Sequence, residues 1–572
     1  MEYKINEVFA PRLFETLRGY TKQHFTADVM AGVIVGIVAI PLAIAFGIAS
    51  GVGPAEGLIT AIIAGFIISA LGGTKVQIGG PTGAFIVIIY GIIQQHGLAG
   101  LMIATVMAGI MLMAMGFSKL GSVIKFVPYP VIVGFTGGIA LTIFSTQMND
   151  FFGLGIDKVP AGFIEKWVCY FQNFTSVNWL SFAVGLVSLL IIIFTPKISK
   201  KIPGSLVAII IMTLACWLLK RFANIGGVAT IGDLYSLPTG IPAPSLPALD
   251  LAEGQSVLDV VRQLLPAAFT IAMLGAIESL LSAMVADGVI SDRHNSNTEL
   301  IAQGAANIVV PFFGGIPATG AIARTMANIN NGGHTPVAGM VHAVILLLVL
   351  LFMGPLVGLI PMPCLAAVLI MVSYNMSGWR TCRALMHNPK SDVSVLIVTF
   401  LLTVIFDLTV AIEVGLLLAI VIFLKRTSES VNIKKFQNEI DPSQESDLKL
   451  HEEALTIAQG IEVYEIDGPY FFGIANKFDE LQTNIGRHRP KVRVIRMRRV
   501  PFIDSTGIHN LQTLIEMNHA DGIHIILSGV NEKVHQQLEK SGFYNIMDSN
   551  HICPHIDIAL ERAREFLASN KK

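Results

Sequence analysis

Two short stretches carry the residue types best suited to holding a small anion inside an apolar chain: Ile78-Gly-Gly-Pro-Thr-Gly-Ala84 and Gly315-Ile-Pro-Ala-Thr-Gly-Ala321. Proline fits the first turn of a helix, where its missing N–H is not needed, and glycine lets the backbone approach a ligand closely. The N–H groups left open at a helix start carry about half a positive charge and attract anions. Thr82 and Thr319 add hydroxyls, as ligand donors or as plain N-caps. Two such starts facing each other make an anion site without a lysine; the alternative is a packing repeat of small residues.

Three further residues bear on that chemistry. Arg324 lies one helical turn past Ala321 and supplies a fixed charge, unless it serves a structural ion pair or snorkels to an interface. Glu278 sits in the apolar run Gly275-Ala-Ile-Glu-Ser-Leu-Leu-Ser282. An intramembrane charge costs about 2.5 to 3.5 kcal/mol on insertion scales and marks an ion or proton pathway. The alternative is a carboxylate permanently bonded to nearby broken backbone; Ser282, at i+4, shares its helix face and either role. Phe46, ending Ile40-Pro-Leu-Ala-Ile-Ala-Phe46, lines the cavity or packs in the core.

The elements that position these residues follow from composition. The 572 residues are 53% hydrophobic and 14% charged, which excludes a pair of soluble domains and indicates a polytopic α-helical membrane protein. The net charge of -1 hides a division: charges thin out between about Asp28 and Leu424 and return afterwards. A membrane helix needs about 20 apolar residues. Fourteen segments are expected near 29–50, 54–71, 81–95, 98–116, 127–148, 179–195, 203–220, 257–286, 299–313, 319–330, 336–355, 356–375, 393–408 and 409–425, the third and tenth beginning at the paired motifs. Seven precede a Pro-rich loop at 221–256 and seven follow it, so the second half (257–426) enters the membrane upside down relative to the first (28–220). Helix breaks in matching places of inverted halves point to a transporter with its substrate between them. Lys and Arg concentrate in the loops facing the side of the N-terminal segment 1–27, which places both termini in the cytoplasm.

The five cysteines form no CxxC pair, and no metal-ligand cluster, cofactor motif, nucleophile with base or phosphate-binding loop is present. No cofactor, metal or nucleic-acid partner is expected, and no enzyme activity. After a polar linker at 427–447, residues 448–572 read as a small α/β domain. Strands are expected at Glu462–Ile466, Val492–Met497 and Ile523–Leu527, with helices at Asn476–Ile485, Ser505–Ala520, Lys533–Gly542 and Asp557–Leu567.

Taken together, the first-span Ile-Pro-Leu-Ala-Ile-Ala-Phe, the Gly-Gly-Pro-Thr-Gly-Ala break, Ala276-Ile-Glu-Ser-Leu-Leu281, Asn307-Ile308 and Gly314-Gly-Ile-Pro-Ala-Thr-Gly-Ala-Ile-Ala-Arg-Thr325 resemble the SulP sulfate-permease family, bacterial relatives of the pendrin and prestin anion exchangers. The resemblance implies a fold of fourteen segments in a 7+7 inverted repeat, with a core domain moving against a gate domain in an elevator-like shift, and a cytoplasmic STAS domain. It implies an anion site at Phe46, Thr82, Ala321 and Arg324 with the backbone amides of Gly83, Ala84, Gly320 and Ile322, and a homodimer. A sodium-dependent bicarbonate branch has Asp at the position of Glu278 and Thr at that of Ile322, so a sodium site is in doubt, whereas Glu278 matches a proton-coupled dicarboxylate branch.

The tail resembles STAS domains through Pro501-Phe-Ile-Asp-Ser-Thr-Gly-Ile508. In the anti-sigma-factor antagonists that share this fold the serine of that motif is phosphorylated, which makes Ser505 a candidate regulatory site; the alternative is that Asp504 or Ser505 only caps a helix. The expected function is secondary active anion transport in the cell membrane, sulfate with proton coupling through Glu278 and Ser282. Fumarate or succinate and bicarbonate are alternative substrates. An uncoupled anion channel, or a membrane scaffold recruiting a soluble partner through the STAS domain, are alternatives of another class.

Overall fold

The computed structural model describes residues 9–122, 128–156, 158–160, 162–198, 203–222, 227–235, 243–244, 257–406, 408–436, 439–440, 455–472 and 490–569. Two compact units divide the chain, Met1–Ala419 and Ile420–Lys572.

In the first unit, the helices that carry the argument are α1 (Lys22–Ala49), α2 (Pro54–Leu71), α3 (Ile86–Phe117), α4 (Tyr129–Thr146), α5 (Trp179–Ile198), α6 (Gly204–Phe222), α7 (Val257–Ile290), α8 (Ser296–Val309), α9 (Ile322–Asn330), α10 (Pro336–Phe352), α11 (Met362–Met376) and α12 (Lys390–Ile405); α13 (Leu408–Ser430) begins in the first unit and ends in the second. α3 carries non-helical backbone at Gly97, with φ +64°, so its two halves answer to the expected third and fourth segments. Eight helices among the described residues are long and apolar enough to cross a membrane.

Polar side chains set several of the helix starts. Asn295 caps α8 by accepting from the amides of Asn297 and Thr298. Thr335 caps α10, whose first residue is Pro336, and the Asp28 carboxylate accepts from the amides of His334 and Thr335 just before it. Small residues bring helices close: a Cβ on Gly57 of α2 would stand 1.9 Å from the carbonyl of Ala43 in α1.

Packing sorts the helices into two groups. In one, α10 packs on α1 and α2, α8 on α3 and α2, and α7 on α3 and α9. In the other, α12 packs on α4, α11 on α4 and α5, and α6 on α5. The expected tenth segment begins at Thr319, but the helix itself starts at Ile322, because Thr319–Gly320 is an extended strand. The expected twelfth segment starts at residue 356, whereas α11 starts at Met362 after the short turn Gly354–Val357. An amphipathic helix at Phe163–Gln172, too short to span, lies between α4 and α5 and has no counterpart in the sequence reading.

The second unit holds a five-stranded sheet of β3 (Asn432–Phe436), β4 (Ile461–Asp467), β5 (Val492–Arg499), β6 (His524–Ser528) and β7 (Ile552–Cys553), in that spatial order. β3 runs antiparallel to β4, and the remaining pairs are parallel. β3 lies inside the stretch expected as linker. Helices α14 (Ser505–Ala520), α15 (Glu532–Lys540) and α16 (Ile556–Ser569) follow the strands. Pro238, Pro242 and Pro247 of the expected loop and the expected helix Asn476–Ile485 lie outside the described residues.

Candidate functional site

The two glycine-rich breaks meet. β1 (Gly79–Gly80) pairs antiparallel with β2 (Thr319–Gly320), Gly79 opposite Gly320 and Gly80 opposite Thr319. The Ala321 amide donates to the Ile78 carbonyl at 2.9 Å, extending the crossing by one rung. Backbone groups freed by each break are thus satisfied by the other, as an apolar surrounding demands. The fit needs glycine: a Cβ on Gly79 would stand 2.3 Å from Ile68 Cδ1, and one on Gly320 would stand 2.1 Å from Gln77 Nε2. Gly80, at φ +153°, has Arg324 Nη1 2.1 Å from where its Cβ would be.

From this crossing two helix starts lead away. Gly83–Phe85 forms a single 3-10 turn that runs into α3, and α9 begins at Ile322. Neither start has a side-chain cap, so the first-turn amides offer donors to a ligand. The threonines do something other than capping. Thr82 Oγ1 donates to Glu278 Oε2 at 2.9 Å, and Thr319 Oγ1 donates to the Gly275 carbonyl at 2.9 Å. Both hydroxyls therefore hold α7 to the crossing.

Arg324 is 2% exposed. Its Nη2 donates to the Pro81 carbonyl at 2.9 Å, reaching from α9 across to the other break, while its buried Nη1 meets no acceptor among the described residues. An orphaned guanidinium donor at this depth fits an anion as its partner. Glu278 faces a cavity of about 30 Å³ that Val131 and Phe135 of α4 line from the other helix group. Ser282 is placed differently from Glu278: its Oγ lies 3.3 Å from Thr325 Oγ1, which accepts from the Ile78 amide at 3.1 Å. Phe46 is buried, and a Cβ on Gly83 would stand 3.5 Å from its ring, 3.0 Å from Met376 Sδ and 3.1 Å from Ile143 Cδ1. Gly83 thus sits where both helix groups meet. The amide of Ala321 is engaged by Ile78, so what Ala321 leaves to the site is a small side chain; Ile322 is 42% exposed beside it.

Sequence reasoning missed the residues that hold the loops leading into β1 and β2. The buried Glu299 of α8 accepts from the Gly73 amide (2.9 Å), Thr74 Oγ1 (3.1 Å), Gln77 Nε2 (2.8 Å) and Gln303 Nε2 (2.9 Å). Asn307, one helix face further along, clamps Ala318 through both its amide and its carbonyl at 2.9 and 2.8 Å. Thr60 accepts from the Ile316 amide at 2.8 Å, and Asn328 donates to the Val76 carbonyl at 2.9 Å. The available signal was Glu299 and Gln303 at i, i+4 in an expected span, where polar side chains need partners.

In the second unit, Asp504 caps α14 through the Gly507 amide at 2.7 Å and also accepts from the Phe472 amide at 3.1 Å. Ser505 is exposed at the first helical residue. Among the described residues no group of three or more His, Cys, Asp or Glu is arranged to hold a metal ion.

Residues 25–399 match the Sulfate permease family, and residues 454–559 match the STAS domain. YvdB of Bacillus subtilis (strain 168), a protein named for sulfate transport, is 39% identical over 544 residues, covering 94% of this chain and 98% of its own. The bicarbonate transporter BicA of Synechocystis sp. (strain ATCC 27184 / PCC 6803 / Kazusa) is 30% identical over 495 residues, covering 85% of this chain and 84% of its own. The chain is similar in fold to the murine Solute Carrier 26 family member A9 anion transporter in its inward-facing state, with a TM-score of 0.85 at 19% identity over 99% of this chain and 95% of that one. The match to the transmembrane domain of a cyanobacterial BicA has a TM-score of 0.60 at 31% identity, over 70% of this chain and 98% of that one. The fold is that of a helical membrane transporter with an appended STAS domain. The chain belongs to the sulfate permease family, whose members are transporters and not enzymes.

Proposed function

We propose that this protein is a secondary active transporter of small oxyanions, with the anion held between the first-turn amides at Gly83 and Ala84 and those at Ile322. The observation that carries this reading is the crossing of β1 and β2, with two uncapped helix starts and the unpartnered Nη1 of Arg324 beside it. Backbone donors and one guanidinium recognise tetrahedral or planar oxyanions alike. Sulfate is the first substrate to test, as the family's description suggests; bicarbonate is supported by the BicA relatives, and fumarate or succinate fits the same donors.

Glu278 is the proposed proton carrier. Its carboxyl accepts from Thr82, the residue that precedes the first helix start, so its protonation state is tied to the wall of the anion site. The division of the helices into two packing groups, with Gly83 and Glu278 at their seam, supports an elevator-like displacement of one group against the other. The odd number of segments in each half supports the 7+7 inverted arrangement, and the Lys/Arg distribution supports cytoplasmic termini; family resemblance supports a homodimer.

The deciding experiment is uptake of labelled sulfate, bicarbonate and fumarate into proteoliposomes, with and without an inward proton gradient. Wild type should accumulate one of them only with the gradient. Glu278→Gln should retain exchange at equal concentrations and lose gradient-driven accumulation. Full accumulation by the variant rules out coupling through Glu278, and currents independent of any driving ion indicate a channel instead.

A further inference from the structure

The short helix Phe163–Gln172 is held down by Trp167, whose Nε1 donates to Ser145 Oγ of α4 at 3.0 Å. The Trp167 and Tyr170 rings meet edge-on with centroids 6.0 Å apart, and Tyr170 packs in a buried cluster with Met148 and Leu154. Fixed in this way, the helix turns its Lys166 and Tyr170 inward, leaving them 3% and 4% exposed. Both line a cavity of about 540 Å³ whose other walls include Ala45 of α1, Tyr90 of α3, Asp150 and Leu369 of α11.

The Tyr90 hydroxyl of this cavity is engaged by the Val159 carbonyl at 3.1 Å, but the Lys166 ammonium and the Tyr170 hydroxyl are unspent. Among the described residues the buried Tyr170 hydroxyl has no hydrogen-bond partner, and no salt bridge joins Lys166 to Asp150 or to any other carboxylate. A buried cation without a counter-ion is costly, and a bound anion removes that cost. Along the chain the cavity lies close to the proposed transport site. Ala45 directly precedes Phe46, and Tyr90 lies seven residues along α3 from Gly83, about 10 Å at 1.5 Å per residue.

We propose that this cavity is a second anion site, in which a small oxyanion rests against Lys166 Nζ and the Tyr170 hydroxyl on its way to or from the site between the two half-helices. The way-station role rests on the transport reading above; the binding itself does not. Asp150 faces the same space and opposes a negative charge, which keeps occupancy weak, as a transit site requires. The volume holds a sulfate or bicarbonate with several waters.

Two measurements test it. In wild-type protein, the rate at which a neutral acetylating reagent modifies Lys166, followed by peptide mass spectrometry, should fall several-fold as sulfate replaces gluconate at constant ionic strength. The exposed Lys158 should be modified at an unchanged rate. In proteoliposomes, Lys166→Gln should raise the KM for the transported anion about tenfold with kcat within twofold, the size expected for one charge-assisted contact. Lys166→Arg should restore it, and Asp150→Asn should lower KM. If sulfate leaves Lys166 labelling unchanged, the site is wrong even when transport is normal. If Lys166→Gln and Asp150→Asn impair uptake alike, the two residues serve each other and the proposal falls. If wild type transports none of the anions while sulfate still protects Lys166, the transport reading fails and the site stands.

Discussion

At the residue scale, the crossing depends on glycines that have no room for a side chain. An alanine at Gly80 would push its Cβ into the Arg324 guanidinium and hold a positive φ that L-residues seldom adopt. Gly80→Ala should therefore reduce anion uptake by about tenfold or more while the protein still folds, because losing one guanidinium contact to an anion is worth about 2 kcal/mol. Gly91→Ala is the control: nothing lies within 4 Å of its Cβ, so helix propensity alone should raise stability by about 0.5–1 kcal/mol. Thermal unfolding and uptake on the same preparations check both. The sequence disclosed the breaks, Arg324 and Glu278, because Gly-Pro runs and charges are conspicuous in apolar segments. It did not disclose that Thr82 reaches Glu278 or that Glu299 anchors the loop at Gly73. Those pairings join residues far apart in sequence, and a threonine before a helix looks the same whether its hydroxyl caps or reaches elsewhere.

At the element scale, the apolar segments were legible because crossing a membrane fixes both length and composition. Phe163–Gln172 was not, since ten amphipathic residues fall below any spanning window, and β1 and β2 were not, since two residues of strand leave no alternation to read. In the second unit, alternating apolar positions gave β4, β5 and β6 within a residue or two at each end. β6 also carries a titratable group: His524 stacks on Phe566 of α16 at 4.1 Å and meets His551 at 4.4 Å. Burial, followed by repulsion from His551 and His519, pushes its pKa below the ordinary 6.5. Well above pH 6.5 the folded and unfolded forms are both neutral and the residue leaves stability unchanged. Below it, the unfolded chain takes up a proton that the folded one resists, so stability falls as pH drops. Unfolding of the second unit, followed in the full chain, should shift to lower temperature between pH 7.5 and 5.5, and His524→Asn should flatten that dependence.

At the scale of the whole molecule, charge thins out from about Asp28 to Leu424 and returns afterwards, and the chain divides into the compact units Met1–Ala419 and Ile420–Lys572. The sorting of helices into two packing groups was invisible, because it follows from contacts between segments whose compositions are alike. The elements of the proposed anion site all belong to the first unit. Truncation after Ser430, the end of α13, should therefore leave measurable uptake at a reduced rate; complete loss with normal membrane insertion would instead make the tail the active part.

The pairing of β1 with β2 has a bearing on biosynthesis. Residues 79 and 80 leave the ribosome long before residues 319 and 320, and until then their backbone donors and acceptors have no strand to meet. The first half of the chain must wait in the membrane with an open seam, shielded by water, lipid headgroups or an insertion factor. The proposed site between the half-helices is complete only when α9 arrives, so a nascent chain halted before that point lacks it, and stabilisation by an anion at that site should mark completed molecules.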